Sequence, residues 1–198
     1  MATSKGEQTR RAILDAAIVR FGREGYRATS VADVARDAGV GGTVPYTYFA
    51  DKEALFLAAI DEDAAALINE GLAGTFETAS LTDWRQTLLV TMVGAMPGHP
   101  LAERLLAGLE PDVTARVLEI PALAELRKAC TERLREEQLT GRVHPDIDAA
   151  TIANGVVAIV LSLLMSVVQL GPEAVGPYGD DVVAVFEAAL DRSPPPAR

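Results

Sequence analysis

The chain offers little material for catalysis or metal binding. His99 and His144 are its two histidines and Cys130 its one cysteine. A single thiol forms no internal disulfide and builds no zinc site. Both histidines fall in Pro/Gly loops, and Cys130 lies in a helical stretch among Leu, Arg and Lys. No acid–base pair, activated nucleophile or ligand set assembles from them. No catalytic residue, cofactor or metal is therefore expected. Charge is the remaining chemistry, with 18 Lys and Arg against 28 Asp and Glu and a net of −10. As an average, that opposes binding to duplex phosphate. The average conceals a division. Residues 1–50 hold Lys5, Arg10, Arg11, Arg20, Arg23, Arg27 and Arg36 against Glu7, Asp15, Glu24, Asp33 and Asp37, a net of +2. The remainder carries −12.

The elements that must position these groups are helical. The chain has 198 residues, 49% hydrophobic and 5% aromatic, and is rich in alanine. That supports a buried core, excludes disorder and favours helix over strand. Ser4 and Glu7 have capping-box spacing. A first helix follows to about Arg23, with Gly25 as a left-handed cap. Thr29-Ser30 opens a second helix that Gly39 stops, with Ser30 and Asp33 repeating the box. A third short helix spans about Thr43 to Phe49, and Asp51 caps a long fourth from Lys52 to about Glu77. Two short helices joined at a glycine make a helix-turn-helix pattern.

Further on, Leu81-Thr82-Asp83 starts a helix carrying Trp84, Leu88, Met92 and Met96. A short helix covers about Leu101 to Leu109, and another runs from Pro121 to about Thr140. Ala149 to Pro172 holds no charged side chain and is long enough to cross a bilayer. Its flanks are mostly acidic, and Asn154, Ser162, Ser166 and Gln169 interrupt it, so it reads as a buried helix of a soluble domain. A loop from Gly171 to Pro177 precedes the last helix. Met1 to Glu7 carries no apolar signal core, which makes the cytoplasm the expected compartment.

Residues Thr9 to about Ile60 resemble the N-terminal domain of the tetracycline-repressor (TetR) family. The matching stretches are Arg11-Ala-Ile-Leu-Asp-Ala-Ala, Phe21, Gly25-Tyr-Arg-Ala-Thr-Ser-Val-Ala-Asp-Val-Ala, Ala38-Gly-Val, Tyr46-Thr-Tyr-Phe and Asp51-Lys-Glu-Ala-Leu. The resemblance implies an all-α fold: a three-helix DNA-binding domain over residues 1–50, an effector-binding and dimerisation domain over 51–192, and a flexible tail over 193–198. It implies DNA contacts at Thr29, Thr43, Val44, Tyr46, Thr47, Tyr48 and Lys52. Physical reasons agree. A hydroxyl at a helix start can hold phosphate, phenols and Lys52 reach phosphate oxygens, and Thr43, Val44 and Thr47 are short enough to meet bases. Gly41-Gly-Thr-Val-Pro45 departs from the family pattern. Pro45 biases Val44 away from helix, so the recognition helix is expected to start late or tilt.

By the same resemblance the chain pairs two-fold on a palindromic operator. The expected surface is a small-residue stripe with Ala158, Ser162 and Ser166, joined by Val182, Val185, Phe186 and Ala189 of the last helix. Trp84, Leu88, Met92, Met96, His99 and Leu105 are candidates for an effector pocket. No charge falls between Gln86 and Ala102, which suits an apolar or neutral ligand. The expected function is ligand-relieved repression by a homodimer, with no enzyme activity and no membrane contact. The competing reading is a helical, dimeric interaction protein that does not bind DNA.

Overall fold

A computed structural model describes residues 4–77, 84–114 and 120–190, and within a few helices the side chains of single residues are not described. All secondary structure among these residues is helical. The helices are α1 (Lys5–Ala28), α2 (Val31–Asp37), α3 (Lys52–Glu77), α4 (Trp84–Ala95), α5 (Pro100–Leu106), α6 (Pro111–Thr114), α7 (Pro121–Leu139), α8 (Ala149–Leu170) and α9 (Pro172–Leu190). Short 3₁₀ turns cover Val44–Thr47 and Met96–Gly98. The expected helix start at Leu81-Thr82-Asp83 and the expected tail at 193–198 lie outside the described residues.

Packing forms two compact units. One holds the chain up to Asn69 together with Gly94–Pro121, the other Glu70–Val93 together with the chain from Ala122. In the first unit the capping box forms as the spacing predicts: Ser4 N donates to Glu7 Oε2 (2.6 Å) and Glu7 N to Ser4 Oγ (3.2 Å). Ser30 caps α2 by accepting from Asp33 N, and Asp51 caps α3 by accepting from Ala54 N. Ile13, Leu14, Ala17, Phe21, Val34, Ala35, Leu55, Phe56 and Ala59 are fully enclosed. The Phe21 and Phe56 rings meet edge to face, 4.8 Å apart.

Helix α1 differs from expectation at its end. Gly25 has φ +83, ψ 169, yet the chain regains helical geometry and runs to Ala28. The break lets segment 100–110 close on α1. Tyr26 N donates to Glu110 Oε1 (3.0 Å), and Arg104 Nε donates to the same oxygen (2.7 Å). A Cβ at Gly25 would run into the Arg104 guanidinium and lie 2.7 Å from Glu110 Oε1. Gly25→Ala is therefore expected to destabilise the chain by roughly 2–4 kcal/mol, from a backbone region that only glycine populates plus overpacking. Chemical denaturation measures this, and an unchanged midpoint would refute it. Three residues earlier, Gly22 lets Pro100 of α5 touch α1 closely: a Cβ there would lie 2.7 Å from Pro100 Cβ.

Two further boundaries are corrected. The expected helix Thr43–Phe49 is a single 3₁₀ turn, Val44–Thr47, with Val44 N bonded to Gly41 O and Tyr46 N to Thr43 O. Pro45 has no amide to donate and Gly41-Gly42 weaken helix initiation, so the α-type bonding here is one bond, Phe49 N to Pro45 O (2.9 Å). The expected loop Gly171–Pro177 is helical from Pro172, because a proline in the first turn lacks only an amide with no helical partner.

Candidate nucleic-acid interface

The turn Val44–Thr47 is anchored from below and open above. Pro45 and Phe49 are buried, while Thr43, Thr47 and Tyr46 are exposed, Tyr46 at 55%. Val44 and Tyr48 are half-buried. In 3₁₀ geometry residues i and i+3 eclipse. Thr43 therefore aligns with Tyr46, and Val44 with Thr47, as two adjacent columns. Tyr48 turns to the first turn of α1, where a Cβ on Gly6 would lie 3.7 Å from its hydroxyl. Thr29 is placed differently from the expectation. It is 2% exposed, and its hydroxyl is buried without a hydrogen-bond partner.

The head's cations divide into two groups. Arg20 clamps α1 to α2, bonding Asp37 Oδ2 and Oδ1 (2.5 and 3.0 Å) and Glu24 (3.0 Å). Its side chain is almost enclosed, and the Asp37 carboxylate raises its already high pKa. In return the Arg20 guanidinium holds Asp37 below the usual carboxylate range. Glu24 is lowered first by Arg23 and then by Arg20. Arg36 pairs with Asp33, whose pKa is lowered by the Ser30 hydroxyl and then by Arg36. Arg11 pairs with Asp15 (2.9 Å) and Glu62, and Arg27 with Asp112 (3.3 Å).

Lys5, Arg10 and Lys52 have no acidic partner among the described residues. Arg10 lies 5.3 Å over the Phe49 ring, and Lys52 Nζ lies 4.4 Å over the Tyr26 ring. Cation–π contact of this kind orients a cation while leaving its hydrogens available. Lys52 is the position that the sequence resemblance selects. Lys5 and Arg10 were not singled out, because seven cations along the sequence look alike until their partners are known.

The second unit carries the other candidate residues. In α8, Ala149, Ala153, Val156, Val157, Val160 and Leu164 are buried, while Ala158 and Ser162 are exposed and Ser166 is half-buried. Ser162 Oγ donates to Ala158 O (2.8 Å) and Ser166 Oγ to Ser162 O (2.9 Å). The hydroxyls are thereby satisfied by their own helix, and the outer face between Ala158 and Ser166 carries short side chains, with Asn154 and Gln169 exposed to either side. The helix is long and apolar enough to cross a membrane by length and composition; an 18-residue window within it has mean hydropathy 2.3, and 28% of that window is buried, less than the expected core helix. On α9, Val185 is 64% exposed and Val182 half-buried, whereas Phe186 points inward beneath the Arg85 guanidinium, 5.8 Å away. The Ala189 side chain lies outside the described residues.

The six pocket candidates are divided between the units. Trp84 and Leu88 line one small cavity with Leu72, Thr75, Ala129, Cys130 and Arg133. Its free space, about 10 Å³, holds about one water. Met92 is buried against Gly71 in the same unit. Met96, His99 and Leu105 belong to the first unit, where His99 Nδ1 donates to Asp63 Oδ1 (3.0 Å). Polar groups at the cavity are already engaged: Thr75 Oγ1 with Gly71 O, and Trp84 Nε1 with Glu137 Oε2. Burial pushes the Cys130 thiol up to about 11, so it stays protonated and unreactive at neutral pH.

An exposed hydroxyl-bearing turn, presented by two short elements of a helical unit that also carries Lys5, Arg10 and Lys52, defines a helix-turn-helix DNA-binding protein. Comparison with known proteins narrows the class. The family model for bacterial regulatory proteins of the tetR family matches residues 13–59. An HTH-type transcriptional repressor of Mycobacterium tuberculosis is 32% identical over 146 residues, covering 70% of this chain and 71% of that protein. The HTH-type transcriptional repressor AcnR of Corynebacterium jeikeium is 27% identical over 199 residues, covering 92% and 91%. Among solved structures, a TetR-family regulator from Cytophaga hutchinsonii matches 98% of this chain and 100% of its own, with TM-score 0.73 and 20% identity. Another from Mesorhizobium loti gives TM-score 0.73 at 18% identity, covering 96% and 100%. The chain belongs to the TetR family of bacterial transcription regulators; it is not an enzyme.

Proposed function

We propose that the chain is a repressor that binds a palindromic operator as a homodimer in the cytoplasm and is released by a small apolar or neutral effector. The observation that carries this reading is the pairing pattern of the head. Five of its arginines meet carboxylates, while Lys5, Arg10 and Lys52, in the unit that bears Tyr46 and Thr47, have no acidic partner among the described residues. Phosphates fix such a head on the duplex and the turn meets base edges. One turn with three cations binds weakly; two, spaced by one helical repeat of roughly 34–36 Å, bind cooperatively. A second copy suits the outer face of α8, whose small residues and self-satisfied hydroxyls allow close, dry helix packing. The names of the relatives support repression.

The effector site is the cavity at Trp84, Leu88 and Cys130, enlarged by side-chain movement. Its apolar walls favour an uncharged ligand. Binding would favour a conformation, transmitted through α3, in which the two turns no longer match the operator spacing. Two measurements test the reading. Size exclusion with light scattering at micromolar concentration is expected to give a dimer, and a monomer would overturn the pairing. Footprinting over DNA near the protein's own gene is expected to show a protected palindrome, and its absence at both low and moderate salt would overturn the DNA reading.

A further inference from the structure

Resting on that DNA reading, we infer that the operator half-site is read through thymine methyl groups and phosphates, without a bidentate purine contact. From Gly39 to Phe49 the chain carries no Arg, Lys, Asn, Gln, Asp or Glu. Those are the side chains that bond paired acceptors and donors on purine and cytosine edges. The turn presents instead two columns, Thr43 with Tyr46 and Val44 with Thr47. Their outer atoms are methyls and hydroxyls. Of base edges in the major groove, the thymine C5 methyl is the apolar one.

The nearby cations do not substitute for the missing readers. Arg36 is held by Asp33 on its own helix at 2.5 Å. Arg10 and Lys52 lie over the Phe49 and Tyr26 rings, off the turn. Gly41 and Gly42 are exposed, and nothing lies within 4 Å of where a Gly42 Cβ would be. A bare backbone beside the columns lets the turn approach the groove floor closely, which short side chains require. Pro45 is buried and serves as the anchor of the turn, outside the reading face.

The full chain is used to select duplexes from random DNA. In the best duplex, each half-site thymine is then replaced in turn by uracil, which removes the methyl and preserves pairing, phosphates and groove hydrogen bonds. At one or two positions per half-site this is expected to weaken binding about three- to fourfold per methyl, hence about tenfold when both half-sites are changed. Thr47→Ser and Val44→Ala, each removing methyl contact, are expected to weaken the thymine duplex and to add no further loss on the uracil duplex. Replacing any guanine by 7-deazaguanine is expected to change affinity less than twofold. Uracil duplexes that bind as well as thymine duplexes would overturn the inference, as would a tenfold loss on 7-deazaguanine. Failure to retain any duplex would instead overturn the DNA reading itself.

Discussion

Asp63→Ala is expected to be among the most destabilising single substitutions in the chain, costing about 3–5 kcal/mol. Asp63 projects from α3 and is 4% exposed. Its Oδ2 accepts from Leu101 N (3.0 Å) and Ala102 N (2.9 Å), the first free amides of α5, and its Oδ1 accepts from His99 Nδ1 (3.0 Å). Alanine supplies no acceptor, and the enclosed site leaves at least the two amides without partners. In a chain of this size the loss corresponds to a fall in melting temperature of about 6–20 °C. Asp63→Asn keeps a carbonyl oxygen and should recover part of the stability. His99→Ala removes one bond of the three and should cost less than half as much. Because α5 also touches α1 at Gly22, loosening α5 should reduce DNA affinity in the protein that remains folded. If Asp63→Ala melted within 3 °C of the parent, the carboxylate would not be holding α5.

The second large effect is on binding. Replacing Lys5, Arg10 and Lys52 together by alanine removes three cations per protomer, six from a dimer. Each lost phosphate contact flattens the dependence of log K on log salt by about 0.9, so the slope should fall by about five units. Near 0.1 M salt that amounts to an affinity loss of at least about a thousandfold. Arg27→Ala and Arg36→Ala are the matched controls, since both cations already face carboxylates and should leave the slope nearly unchanged. Equal flattening by a control and by Lys52→Ala would show that the paired and unpaired cations do not differ in role.

Much of the head is legible from local rules. The Ser4–Glu7 box, the Ser30 and Asp51 caps and the glycine at the end of α2 act over four residues or fewer. Side-chain chemistry and spacing therefore suffice to place them. The departure at Gly41 to Pro45 was also visible, because a missing amide is a property of one residue. Its outcome, a 3₁₀ turn in place of a helix, depended in addition on Pro45 and Phe49 finding a core to enter. The boundary near Pro172 was misjudged because Pro and Gly signal loops and helix starts alike, and only neighbouring packing separates the two.

The sequence by itself determined the helical class, the family and the basic head on an acidic body, since each follows from composition or from motifs with fixed short spacing. Only the tertiary structure decided which cations are available to DNA and which groups share a unit. Arg20 meets Asp37 seventeen residues away, and Arg11 meets Glu62 fifty-one residues away. His99 meets Asp63 across thirty-six, which places His99 in the unit of the reading turn while Trp84 and Leu88 face the cavity of the other. Pairings at such separations are set by how helices stack, and a sequence pattern carries no record of them until the chain has closed.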